Sequence, residues 1–196
     1  AARSNVFQYL GVHYVDLLHY VTGYTPLRVT AWGQKGYLTE QGIDTWDSIQ
    51  TVIEWRTEAD RRFVSTHVTN WIDPDETSAL SDQRINVVGT KGRFQADQKH
   101  RGVQQVVDGQ GVQDINPYFT VSFHDVGDGS LRFSGYGINS IQQFVSDVIA
   151  FRNGEITWDD LNAQRPSFDA GIVSTAVVEA TGRSLQENNR TVELEI

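Results

Sequence analysis

Residues 85–97 read Ile85-Asn86-Val87-Val88-Gly89-Thr90-Lys91-Gly92-Arg93-Phe94-Gln95-Ala96-Asp97. Ile85 to Val88 and Phe94 to Asp97 flank Gly89-Thr90-Lys91-Gly92, which has the glycines of a short hairpin loop. The signal repeats at once, where Val103 to Val107 and Val112 to Ile115 flank Asp108-Gly109-Gln110-Gly111. Working back toward the N-terminus, Leu27 to Trp32 alternates, with Leu27, Val29 and Ala31 on one side. Ser48 to Trp55 alternates too, and Phe63 to Trp71 is the longest candidate strand. Consecutive strands joined by short loops predict a large, mostly antiparallel sheet.

Helical spacing brackets this strand-rich middle. Over 4–22, Val6, Leu10, Tyr14, Leu17 and Val21 recur at helical intervals, with Ser4 or Asn5 able to cap and Gly23 and Pro26 to stop. Gly11 interrupts the pattern, so a later start is also open. A second helix is predicted from Asn139, with Gln142 completing a capping box and Ile141, Phe144, Val145, Val148 and Ile149 as its apolar stripe. A third spans 168–187 behind Ser167, and Thr191 to Ile196 reads as a last strand. The class is α+β, one open sheet with helices on one face. Phe63, Ser65, His67, Thr69 and Trp71 share one side of their strand, Val64, Thr66, Val68 and Asn70 the other, and neither side is cleanly polar. The second sheet face is covered either by the same chain or by another subunit.

Bulk composition narrows function by exclusion. The chain has 196 residues, enough for one large domain, with 39% hydrophobic and 21% charged residues. A formal net charge of -9 argues against sequence-independent binding of nucleic acid, which needs a positive surface. No apolar run reaches membrane-spanning length, and no signal peptide is visible. Cysteine is absent, which excludes disulfides and thiolate chemistry and fits the cytoplasm. Methionine is absent too, so a processed piece or an expressed fragment is expected.

Three constellations could carry chemistry. Tyr9, His13 and Asp16 fall on one side of the first helix, and a histidine beside a carboxylate suits acid–base work near neutral pH. A half-buried helical histidine bonded to a neighbour is the plainer reading of the same pattern. Asp97-Gln98-Lys99-His100-Arg101-Gly102 ends a strand and offers charged groups to hydroxyls or an anion, or is a solvated loop. Trp71, leaving its strand into Ile72-Asp73-Pro74, presents an aromatic face useful for a sugar ring, or edges the core. The five histidines show no paired metal-ligand spacing, and no metal site is expected. A serine-nucleophile elbow is missing. So is a GxGxxG between strand and helix, so no cofactor-binding residue for a nicotinamide dinucleotide is expected in this chain.

Taken in order, these segments resemble the C-terminal domain of the Gfo/Idh/MocA oxidoreductases, relatives of glucose-fructose oxidoreductase and inositol dehydrogenase. Gly11-Val12-His13-Tyr14-Val15-Asp16-Leu17-Leu18 is similar to the family's glycine-x-histidine-x-x-aspartate segment. Val87 to Arg93 looks like its central hairpin, and Ser184-Leu185 with Thr191-Val192-Glu193 looks like its close. The resemblance implies the substrate-binding and oligomerisation half, residues 1–196, of an NAD(P)-dependent dehydrogenase of a sugar, inositol or related polyol. It implies that an N-terminal Rossmann domain, absent from this chain, holds NAD or NADP, so that this fragment binds no cofactor and is inactive alone. It further implies that His13 is catalytic and that the assembly is a homodimer or homotetramer using the open sheet face. Where the family often carries an aspartate four residues before the histidine, this sequence has Tyr9, and Asp97, Lys99 and Arg101 are candidates to replace that contact. A non-catalytic binding or scaffold protein reusing the same sheet is the alternative.

Overall fold

The computed structural model describes residues 4–73, 82–97, 102–115 and 120–196. In chain order they form a π-turn (Phe7–Gly11), α1 (Val12–Thr22), β1 (Thr25–Gln34), α2 (Tyr37–Glu40), β2 (Ser48–Arg56) and β3 (Arg62–Asn70). Then come β4 (Arg84–Gly89), β5 (Gly92–Asp97), β6 (Gly102–Val107), β7 (Gly111–Ile115), β8 (Thr120–His124) and β9 (Leu131–Gly135). α3 (Tyr136–Arg152), α4 (Trp158–Gln164), α5 (Phe168–Gln186) and β10 (Val192–Glu193) complete the chain. Every strand pairing among the described residues is antiparallel, and the class is α+β. The described strands group into three sheets, and the chain divides into two compact units, one of residues 1–74 with 165–196 and one of residues 75–164.

The first unit is a four-stranded sheet in the order β10-β1-β2-β3. Period-two alternation sends Val29 and Ala31 from β1, and Ile49, Ile53 and Trp55 from β2, to one face, where all are fully buried. The π-turn, α1 and α5 supply Val6, Phe7, Val15 and Val177 to the same core. β10 pairs with β1 only at Arg28 and Val29. Beyond it the Ala31 N–H is met by the buried Ser184 hydroxyl of α5, at 2.9 Å, so the short edge strand leaves no orphaned donor there.

The opposite face of this sheet is mixed. Arg28 donates to Glu54 at 2.6 Å, and Arg62 stands 3.7 Å from the same carboxylate. The Thr30 and Thr191 hydroxyls pair at 2.8 Å. Around these polar rungs Trp32, Val64 and Val68 are exposed. The apolar residues of β2 and β3 are therefore divided: Ile49, Ile53 and Trp55 belong to the covered face, Val64 and Val68 to the open one.

In the second unit β4 to β7 form an antiparallel meander. Gly89 pairs with Gly92, so the first hairpin turns on Thr90-Lys91 alone. A Cβ at Gly92 would stand 2.5 Å from the Val106 carbonyl oxygen of β6, and only glycine allows that approach. β8 and β9 make a separate hairpin. α3 begins at Tyr136 behind Gly135 with no side-chain cap, three residues before the capping box expected at Asn139. Its apolar stripe, Ile141, Phe144, Val145, Val148 and Ile149, is exposed, where the sequence pattern predicts burial. Ser167 caps α5 as expected, accepting from the Ala170 N–H at 3.3 Å.

Candidate functional site

The first helix opens on the Asn5 side chain, which accepts from the Gln8 N–H at 2.9 Å. The chain then makes a π-turn, in which the Val12 N–H donates to the Phe7 carbonyl five residues back. Phe7 is fully buried, and its ring lies directly beneath Gly11. A Cβ there would sit 2.3 Å from Cδ2 of the ring, so any other residue at Gly11 collides with a side chain that has nowhere to go. The glycine that makes the helical pattern ambiguous in the sequence is thus the roof over a core phenylalanine.

The turn leaves His13 and Asp16 exposed on α1. Among the described residues, His13 takes no hydrogen-bond or ion-pair partner. The other described histidines are engaged. His19 Nδ1 lies 2.9 Å from the Tyr24 carbonyl at the end of α1. His124 Nδ1 lies 3.2 Å from the Gly129 carbonyl across a turn. His67 lies on the covered face of β3, its Nε2 2.9 Å from the Ser65 hydroxyl, which accepts from the Trp55 indole N–H at 2.8 Å. Burial disfavours its charged form and brings the imidazole down to about 4. The edge of His67 also meets the Phe7 ring, with centroids 6.1 Å apart. His100 falls outside the described residues.

Tyr9 and Trp71 meet. Their ring centroids lie 6.2 Å apart, with planes inclined at 55°. Trp71 follows β3, and its N–H donates to the Asp47 carbonyl at 2.9 Å. Asp47 is itself pinned, because its buried carboxylate accepts from the Tyr37 and Leu38 N–H groups at 2.9 and 2.8 Å. The sequence gives both aromatics as separate candidates; their contact could not be read from spacing, since the residues come from distant segments.

The remaining candidates belong to the stretch 75–164, the second unit. Asp97 ends β5 in the second unit, 3.8 Å from Arg84. Arg84 also makes a two-pronged contact with Asp82, and the paired carboxylates hold its guanidinium above its usual range. Lys99 and Arg101 lie outside the described residues. Among the described residues no group of three or more His, Asp or Glu side chains could hold a metal ion, and no helix is long and apolar enough to cross a membrane. A polar cleft of about 300 Å³, lined by Gly23, Thr25, Arg56 and Glu58, opens at the far end of α1. It is about 15 Å along the helix from His13 and contains no histidine.

Residues 2–95, which include the π-turn, His13 and Trp71, match the model of the GFO/IDH/MocA C-terminal domain. Over those residues the chain has the sequence of a Gfo/Idh/MocA C-terminal domain. Solved structures share its fold. An oxidoreductase from Sinorhizobium meliloti superposes with a TM-score of 0.68 at 17% identity, over 95% of this chain and 52% of that one. An inositol dehydrogenase homologue from Azotobacter vinelandii, solved with NADH and myo-inositol, gives 0.66 at 17% identity over 96% and 50%. An aldose-aldose oxidoreductase from Caulobacter crescentus, solved with glycerol, gives 0.59 at 17% identity over 96% and 47%. The Gfo/Idh/MocA domain described here thus spans about half the length of the structures it resembles. No curated protein matches the chain in sequence.

Proposed function

We propose that this chain is the substrate-binding and oligomerisation half, one C-terminal domain, of an NAD(P)-dependent oxidoreductase that acts on a sugar, inositol or related polyol by hydride transfer. The observation that carries the proposal is His13. In a domain of this family it is the described histidine left exposed and unengaged, on a helix fixed from below by Phe7 and Val15. Oxidation of a secondary alcohol removes a hydride from carbon and a proton from the hydroxyl. The nicotinamide, held by a Rossmann domain outside this chain, would supply the hydride acceptor. His13 takes or polarises the hydroxyl proton, and Asp16, one turn on, biases its orientation. Tyr9 and Trp71 contact the substrate. The compartment proposed is the cytoplasm, which a chain without cysteine fits.

The open face of the first sheet is the proposed oligomer contact, as a homodimer or homotetramer. Trp32, Val64 and Val68 stand exposed there between polar rungs, a composition suited to pairing with a copy of itself. Such a contact would bury at least roughly a thousand square ångströms. Light scattering across a dilution series measures it, and a mass near 22.0 kDa at every concentration would rule it out.

A cofactor and polyol screen on the full-length protein tests the activity. His13→Ala is expected to lower turnover by about a hundredfold or more, with a smaller change in KM. Asp16→Asn should be milder. Unchanged turnover in His13→Ala would remove the histidine from the chemistry, and a full-length protein that binds polyol without turnover would favour a binding or scaffold role. The isolated chain should neither oxidise a sugar nor bind NAD or NADP tightly, since its sequence has no phosphate-cradling glycine turn. Saturable micromolar binding by calorimetry would contradict that.

A further inference from the structure

Two large aromatic rings stand in water beside the helix of His13. Tyr9 is 66% exposed and Trp71 38%. An inclination of 55° makes them a wedge and not a closed stack. Neither is loose at its root. The Tyr9 N–H donates to the Asn5 carbonyl at 3.2 Å in a turn seated on buried Phe7, and the Trp71 N–H is held by Asp47.

A carboxylate at position 9 would grip hydroxyl groups by accepting their hydrogens, whatever the shape of the carbon chain behind them. An aromatic ring grips differently. Its face is electron-rich and apolar, and it attracts weakly polarised C–H bonds over a flat area. A six-membered polyol ring in its chair form carries hydroxyls mainly around its rim and turns axial hydrogens toward its faces. An open-chain polyol has no such face and must lose many rotamers to lie flat.

We infer that Tyr9 and Trp71 together form a stacking subsite for the C–H face of a six-membered polyol ring, which selects cyclic over open-chain substrates and leaves the rim hydroxyls to His13. This subsite presupposes the polyol chemistry proposed above.

Binding of myo-inositol and of sorbitol to this chain, followed by saturation-transfer NMR and by titration, tests it without any turnover. The ring is expected to bind more tightly than the open chain, with transfer strongest at its axial hydrogens. Tyr9→Ala and Trp71→Ala should each weaken myo-inositol by about tenfold, while Tyr9→Phe keeps the affinity within about twofold. Thermal melts confirm that each variant is folded; should Trp71→Ala not be, the Tyr9 pair of variants decides. No binding of myo-inositol to the wild-type chain, no loss in Tyr9→Ala, or an equal loss in Tyr9→Phe would each overturn the subsite. Hydride transfer by the full-length protein is the separate readout. Turnover with ring binding indifferent to both aromatics sinks the subsite alone. Ring binding that depends on them, without turnover of any polyol, sinks the oxidoreductase and leaves the subsite standing.

Discussion

The two units use similar strands to different ends. In the first, alternation sorts strand side chains onto a covered face, and every buried residue among those described belongs to this unit. In the second, β4 to β7 keep an unbroken antiparallel register, yet none of the described side chains of that unit is buried. Hairpin register is set locally, by turns and backbone hydrogen bonds, and needs no core to define it. Burial is a separate achievement that requires a second layer. The first unit has both.

The largest test of that contrast is Trp55→Ala. The indole is fully buried and bonded to Ser65, and its loss should cost about 3–5 kcal/mol in chemical denaturation. A cost below about 1 kcal/mol would mean that the first unit's core is not the source of its stability.

Acid probes the same core through His67. Its folded value of about 4 lies below the ordinary 6.5, so the folded state binds the proton less readily than the unfolded chain. The stability contributed by neutral His67 is complete above about pH 6.5, falls as pH drops toward 4, and amounts to about 3 kcal/mol over that window. His67→Gln should flatten this part of a stability–pH curve. An unchanged curve would show that other groups drive the acid loss.

Gly11→Ala sharpens the comparison at the edge of the core. The new methyl meets the Phe7 ring, and overpacking of about 2 kcal/mol is expected as a lowered melting temperature. An unaltered melt would mean that Phe7 has room to move.

Phe144→Ala should do least. The side chain is 67% exposed on α3, and its removal should change stability by no more than about 0.5 kcal/mol. A loss comparable to Trp55→Ala would erase the distinction between the units and show that the helix stripe is buried in solution.

What was legible in the sequence follows the same division. β1 to β3 could be read because their covered faces impose a period of two, as at Val29, Ala31, Ile49 and Ile53; the pattern fails at Leu27, where an irregularity between Pro26 and Arg28 shifts the register and buries Pro26 instead. The β4–β5 hairpin could be read from Gly89 and Gly92. β8 and β9 could not, because Phe123, Leu131 and Phe133 are exposed and the glycines around Asp128 dominate that stretch. The start of α3 was hidden by Gly135 and Gly137, which read as a turn although the helix begins between them. At the candidate site the helical spacing of Tyr9, His13 and Asp16 was visible, since it is local. The approach of Trp71 to Tyr9 and the engagement of His67 by Ser65 and Trp55 are tertiary facts, with no local signal to announce them. The family resemblance, not the periodicity, is what singled out His13.

The π-turn also bears on heredity. Phe7 and Val15, both buried, are eight residues apart. In a regular α-helix eight steps leave two residues about 80° out of line, whereas seven leave only about 20°. The wider turn absorbs the surplus residue, so the pair faces the core as a seven-residue pair would. A lineage that lost one residue at 8 or 9, where the chain is exposed, would fall back to an ordinary helix with both anchors still seated. Only the outward stretch carrying Tyr9 would be redrawn. The part of the helix most tolerant of a change in length is therefore the part that carries Tyr9 of the proposed stacking subsite, where a single codon deletion could alter what is bound without unsettling the fold.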